Sequence, residues 1–222
     1  MIETRRFPQT DLYGITASEY SLGRSNQEVV KQMLEAGIKL IQYREKEFTI
    51  RQKYDECLVI RQLCREHDAY FIVNDDVHIA LAVEADGIHV GQDDLPVDKV
   101  RELVGEKMLI GLSTFTPQQA DQAVNSGVVD YLGVGPIYDT STKKEACVSV
   151  GLEYLDYLVQ HYRIPLVAIG GIKQSNVANV IRHGVTCVAM ITDVVGADNI
   201  GQRIKAIRET ISIAKASLEK PR

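Results

Sequence analysis

The sequence predicts an α/β chain folded as a single (β/α)8 TIM barrel. Three observations carry that expectation. β-rich runs and amphipathic helical runs alternate through eight units, with no linker or low-complexity segment between them. Several β-rich runs are near-continuous stretches of Val, Ile, Leu and Tyr, which suits parallel strands covered on both faces. The chain has 222 residues, a length that one α/β barrel commonly fills. A doubly wound open sheet is built from the same βα units, and spacing alone does not separate the two architectures.

The expected strands are 11–16 (DLYGIT), 39–45 (KLIQYRE), 70–75 (YFIVND), 87–91 (GIHVG), 109–113 (LIGLS), 131–137 (YLGVGPI), 165–171 (PLVAIGG) and 187–192 (CVAMIT). Helices are expected between them. Ser25 and Glu28 form a capping box ahead of the apolar set Val29, Val30, Met33 and Leu34, and Gly37 follows as a stop. Thr116, Pro117 and Gln119 repeat that logic with Pro in the first turn. Val177, Val180 and Ile181 share one helical face, and Ile200, Ile204, Ile207 and Ile211 form a seam along a last helix at about 197–218. A faint repeat, in which a helix ends at Gly before an apolar residue and a strand, recurs at Gly37, Gly87, Gly127 and Gly184. One domain is expected over residues 1–222, opening with a short extension over 1–10.

Composition narrows the function classes. Hydrophobic residues make up 45% and charged residues 25%, an ordinary globular mix. No apolar run approaches the length of a membrane span, and the opening MIETRRFPQT has basic residues but no apolar stretch behind them, so no signal peptide is read there. A cytoplasmic protein that does not engage a membrane is therefore expected. The net charge of −5 argues against a nucleic-acid binder, which is usually basic. Cys57, Cys64, Cys147 and Cys187 make no CxxC pair and read as idle thiols of a reducing compartment. A homo-oligomer is left open.

In a barrel of this kind the chemistry sits at the C-terminal strand ends and in the loops after them. The unusual residues lie there. Gln42, Arg44 and Lys46 alternate onto one face at the end of the second strand, where two cations and an amide suit a phosphorylated ligand or a salt-bridge lattice. Asn74-Asp75-Asp76 ends the third strand and Gln92-Asp93-Asp94 follows the fourth, bringing carboxylates from adjacent strands to one rim. Two carboxylates with ligand phosphates suit Mg²⁺; helix capping is the alternative. The segment 135–144, GPIYDTSTKK, is hydroxyl-rich and basic, as an anion-binding loop or a solvated surface loop is. Gly170-Gly171 after strand seven and Ile191-Thr192 after strand eight occupy the positions where barrels often hold phosphate. Ser113 has no nucleophile-elbow context, and His89, between Ile88 and Val90, reads as structural.

Taken together and in this order, QYREK (42–46), VNDD (73–76), ADGIHVGQDD (85–94), IGLS (110–113), GPIYDTSTKK (135–144), AIGGI (168–172) and MIT (190–192) resemble the thiamine-phosphate synthase family, also called thiamine-phosphate pyrophosphorylase. The resemblance runs from about Leu12 to the last helix. It implies a TIM-barrel transferase that joins 4-amino-2-methyl-5-hydroxymethylpyrimidine diphosphate to 4-methyl-5-(2-phosphoethyl)thiazole, releasing pyrophosphate. It further implies that Gln42, Tyr43, Arg44, Glu45, Lys46, Asn74, Ser113 and Lys143 meet the pyrimidine diphosphate, with Arg44, Lys46, Ser113 and Lys143 as the catalytic set. Asp75 and Asp94 would hold Mg²⁺, and Thr140, Thr142, Gly171, Ile191 and Thr192 the thiazole phosphate. Two departures stand out: Thr192 where Ser is common, and Phe115 where His is common. A related thiazole tautomerase and a barrel that only binds a precursor are the competing readings, and the complete charged set disfavours both.

Overall fold

The computed structural model describes residues 6–140 and 148–218. Eight parallel strands close into a barrel in sequence order: β1 (Leu12–Ile15), β2 (Leu40–Tyr43), β3 (Tyr70–Asn74), β4 (Gly87–Val90), β5 (Leu109–Thr114), β6 (Tyr131–Val134), β7 (Leu166–Ile169) and β8 (Cys187–Met190). β8 returns to pair with β1 through Tyr13 and Ala189, which excludes the open sheet. Between and after the strands run α1 (Asn26–Glu35), α2 (Ile50–Glu66), α3 (Val77–Ala82), α4 (Val97–Val104), α5 (Pro117–Ser126), α6 (Gly151–His161), α7 (Val177–Arg182), α8 (Thr192–Val195) and α9 (Ile200–Leu218).

Strand alternation divides the core into two shells. Tyr13, Ile15, Leu40, Ile72, Leu109, Tyr131, Val167, Cys187 and Ala189 fill the barrel interior. The larger shell lies between strands and helices, where Leu12, Ile41, Phe71, Ile88 and Leu132 meet Val29, Ile60, Val180 and Ile204. Buried on both faces, the strands need the apolar runs that the sequence shows.

Local signals set the helix ends. The Ser25 hydroxyl accepts from the Glu28 N–H while the Glu28 carboxylate reaches back to Ser25, the expected capping box. Thr49 and Gln52 make a second box at α2 that the motif reading passed over. At α5 the Thr116 hydroxyl accepts from the Gln119 N–H, but the Gln119 side chain reaches past the cap to the Phe115 N–H. Gly37, Gly127 and Gly184 all lie in the left-handed region, as helix stops require. Gly87 departs from that pattern. It opens β4, and a Cβ there would fall 2.5 Å from the Ile72 side chain, so packing rather than helix termination selects glycine. Eight helices were expected and nine α-helices, with a 3-10 turn at Ser18–Tyr20, lie among the described residues, because the turn of α8 precedes α9.

Seven of the eight strands stop before their expected ends, β2, β6, β7 and β8 by two or three residues, β2 at Tyr43. β6 ends at Val134, β7 at Ile169 and β8 at Met190. Pro136 has no N–H to continue a ladder, and Gly170 and Gly171 have φ of +95° and +63°. The residues released, GPI, GG and Ile191, become loops at the C-terminal mouth, and Thr192 opens α8. Cys57, Cys64 and Cys187 are buried, and burial pushes the Cys64 thiol up to about 12. Cys147 lies outside the described residues. Among those residues no helix is long and apolar enough to cross a membrane.

Candidate active site

A cavity opens at the C-terminal ends of the strands. Gln42, Arg44, Asn74 and Ser113 line it from one side, and Thr140, Gly171, Ile191 and Thr192 from the other. Strand alternation explains the first group: Gln42 points into the barrel, and Arg44, two residues on, emerges at the rim. The Thr16 hydroxyl fixes this strand end, accepting from the Arg44 N–H at 2.8 Å.

The intervening residues turn the other way. Tyr43 is buried between strands and helices, where its hydroxyl donates to the Glu56 carboxylate at 2.8 Å. Glu45 accepts from the Ser18 N–H and hydroxyl, both at 2.9 Å, and from the Asn26 amide at 2.9 Å. Neither side chain borders the cavity, whereas the substrate set named from the sequence includes both. A five-residue motif on a strand end contributes alternate residues, and here Gln42 and Arg44 border the cavity while Lys46 does not.

Lys46 lies at the outer rim, ion-paired with Asp75. Burial raises the Asp75 carboxyl above its ordinary range, the Lys46 ammonium lowers it, and the nearby Asp94 charge raises it again. Asp94, not its neighbour Asp93, is the acid that presses on Asp75. The Asp94 carboxylate also accepts from the Gly91 N–H at 2.7 Å, which pins the loop after β4. Neither Asp75 nor Asp94 caps a helix: the residue before α3 is Asp76, whose carboxylate pairs with Lys53 at 2.8 Å, and the residue before α4 is Pro96.

Two mutually repelling carboxylates at the ends of β3 and β4, neither of them bordering the cavity, match the needs of Mg²⁺, which takes one or two protein carboxylates and completes its shell with water and ligand phosphate. Among the described residues no cluster of three or more His, Cys, Asp or Glu forms, so a dedicated all-protein metal cage is not built here. Lys143 and Thr142 lie outside the described residues.

The opposite wall is a close packing of two loops. The Ile137 N–H donates to the Ile169 carbonyl at 2.9 Å and the Tyr138 N–H to the Gly170 carbonyl at 3.0 Å. A Cβ on Gly170 would fall 2.4 Å from Pro136 Cα, and one on Gly171 would fall 2.7 Å from the Asp139 carbonyl oxygen. The double glycine is therefore a requirement of loop packing as well as a way to expose backbone to the cavity.

The structure adds residues to the lining that motif reading did not select: Tyr13, His89, Phe115 and Tyr131. His89, read from its strand position as structural, points inward and bridges the Tyr131 hydroxyl and the Ser113 hydroxyl, each at 3.0 Å. The available signal was a polar or aromatic residue at an inward strand position. It is faint because Tyr also fills ordinary cores. Phe115 borders the cavity with an apolar ring where the related pattern commonly has imidazole.

A closed (β/α)8 barrel with charged, hydroxyl and glycine groups converging on its C-terminal mouth defines the class: a TIM-barrel enzyme with a candidate site there. The model of the family described as thiamine monophosphate synthase matches residues 12–194. The thiamine-phosphate synthase of Pelotomaculum thermopropionicum is 60% identical over 204 residues, covering 92% of this chain and 93% of that one. That of Lawsonia intracellularis is 53% identical over 204 residues, covering 92% and 94%. The solved thiamine phosphate pyrophosphorylase from Pyrococcus furiosus superposes with a TM-score of 0.83 at 35% identity, over 92% of this chain and 96% of that one. The chain belongs to the thiamine monophosphate synthase family, and within it is a transferase of thiamine biosynthesis.

Proposed function

We propose that the chain condenses 4-amino-2-methyl-5-(diphosphooxymethyl)pyrimidine with 4-methyl-5-(2-phosphoethyl)thiazole to give thiamine phosphate and pyrophosphate. The supporting observation is that one cavity is bordered on one side by Gln42, Arg44, Asn74 and Ser113 and on the other by Thr140, Gly171, Ile191 and Thr192. Two substrates held face to face in one mouth lose most of the entropic cost of their encounter before reaction.

The bond between the pyrimidine methylene carbon and the diphosphate oxygen breaks, and its electron pair leaves with the diphosphate. The thiazole nitrogen lone pair then forms the new C–N bond. No proton has to move in this step. Arg44 and Lys46 stabilise charge on the leaving oxygens, and Lys143 is assigned the same task. Asp75 and Asp94 would hold Mg²⁺, and when bound the ion supplies further positive charge against the diphosphate. Thr140, Thr142, Gly171, Ile191 and Thr192 hold the thiazole phosphate through hydroxyl and backbone N–H groups.

The test is pyrophosphate release by purified protein given both substrates, with and without Mg²⁺, and product identified by mass. Thiamine phosphate that requires both substrates and is abolished by excess EDTA is the expected result. Undiminished product in EDTA removes the metal assignment, and absence of product from folded protein removes the reaction.

A further inference from the structure

Five polar side chains from five strands form a continuous line beneath the cavity. Gln42 Nε2 donates to the Tyr13 hydroxyl at 3.0 Å, and that oxygen lies 3.1 Å from the Tyr131 hydroxyl. The Tyr131 hydroxyl lies 3.0 Å from His89 Nδ1, and His89 Nε2 lies 3.0 Å from Ser113 Oγ. All five border the cavity. Burial pushes both phenols far above their ordinary range, so each keeps its single proton. Two glycines make room for the line. A Cβ on Gly111 would fall 2.4 Å from the Tyr131 hydroxyl and 2.5 Å from His89 Nδ1, and one on Gly133 would fall 3.0 Å from His89 Cε1.

We propose that this line is a one-way donor chain that presents the Ser113 O–H to an acceptor atom of the pyrimidine diphosphate, with His89 and Tyr131 as positioning residues. The geometry of the Tyr13–Tyr131 and His89 bonds admits either sense, and the proposed one starts at its first member. An amide nitrogen has only hydrogens to offer. Tyr13, accepting from Gln42, directs its own proton to the Tyr131 oxygen. Tyr131 directs its proton to His89 Nδ1. A neutral imidazole that accepts at Nδ1 carries its hydrogen on Nε2 and donates to Ser113 Oγ. Ser113, accepting from His89, has its own hydrogen directed away from the ring and toward the cavity. The reverse sense would have Ser113 donate to His89 and turn only lone pairs to the ligand, which is the arrangement of a base. The proposed reaction needs stabilised leaving-group charge and no base, and the proposed sense supplies a donor.

The role for Ser113 rests on the proposed reaction, but the tautomer of His89 does not and is measurable without substrate. In ¹⁵N-labelled wild-type protein, with the His89 signals identified by their loss in His89→Asn, the imidazole is expected as the neutral Nε2–H form. The Nδ1–H form, or an imidazolium, overturns the chain. In Tyr131→Phe the lock on the tautomer is lost, and kcat is expected to fall by at least about tenfold while KM for either substrate changes less than about threefold. An unchanged kcat overturns the positioning role. A wild-type protein with the expected tautomer that forms no thiamine phosphate overturns the proposed reaction and leaves the donor chain standing.

Discussion

The Asp75 carboxylate is ion-paired with Lys46 and faces the charge of Asp94 across the rim between β3 and β4. Its charged form is opposed by burial and by Asp94 and favoured by Lys46, and the balance raises its pKa. The folded state therefore holds this proton to higher pH than the unfolded chain does. Stability from this group is largest when Asp75 is protonated and declines as pH rises through its ordinary value and then its raised folded value.

Asp94→Asn should therefore leave thermal stability at pH 7 unchanged or slightly raised, because it removes a repulsion, while turnover falls by roughly 100-fold or more from loss of a carboxylate and its charge. Melting curves with and without Mg²⁺ provide a readout independent of activity. The wild type should gain stability with Mg²⁺ and the variant should gain little. Equal gains in both proteins would detach Asp94 from the metal.

Arg44 and Tyr43 are adjacent in sequence and opposite in orientation. Arg44→Ala should reduce kcat/KM by about 100-fold or more, since the lost group is a cation at the proposed leaving group. Tyr43→Phe removes a hydroxyl bonded to Glu56 outside the cavity and should change kcat/KM by less than about threefold. Steady-state kinetics on both variants decide the matter. A large kinetic loss in Tyr43→Phe would return that residue to the substrate set.

Gly170 has φ of +95° and no room for a Cβ. Gly170→Ala should cost about 3 kcal/mol or more, combining backbone strain with overpacking. In a chain of this size that lowers Tm by roughly 6–12 °C. Differential scanning calorimetry measures it, and a Tm within 2 °C of wild type, roughly the effect of a 1 kcal/mol change, would show that the two loops separate at little cost.

Arg101 is buried and donates to the carbonyls of Gly105, Met108 and Val128 and to the Asp130 carboxylate, all at 2.7–2.8 Å. Asp130 in turn accepts from the Ile110 N–H at 2.7 Å. Arg101→Met removes the buried guanidinium that joins the part-buried Asp130 carboxylate to three carbonyls and should destabilise by about 3–5 kcal/mol. Urea denaturation tests the loss, and assays well below the melting temperature should show kcat/KM within about twofold of wild type. A kinetic defect in folded variant protein would mean that this network reaches the mouth.

The sequence by itself determined the serial βα units and the address of their chemistry, while the return of β8 to β1, which closes the barrel, was decided by the tertiary structure. Buried parallel strands require continuous apolar runs, capping residues and glycine stops mark the helices, and a barrel exposes its chemistry at strand ends. Gln42, Arg44, Asn74 and Asp75 were therefore legible as strand-end residues before any coordinates. Tertiary structure decided what those signals leave degenerate. Alternation at β2 sends Tyr43 and Glu45 outward, a consequence of register that composition does not show. Proximity across the rim makes Asp94 rather than Asp93 the partner of Asp75. Gly87 serves packing rather than helix termination, because what crowds it is Ile72 on the neighbouring strand. The line from Gln42 to Ser113 joins residues on five strands, up to 118 positions apart between its bonded members. No local pattern encodes such a contact: closing the barrel brings those inward side chains within hydrogen-bond reach, and only there does each donor find its acceptor.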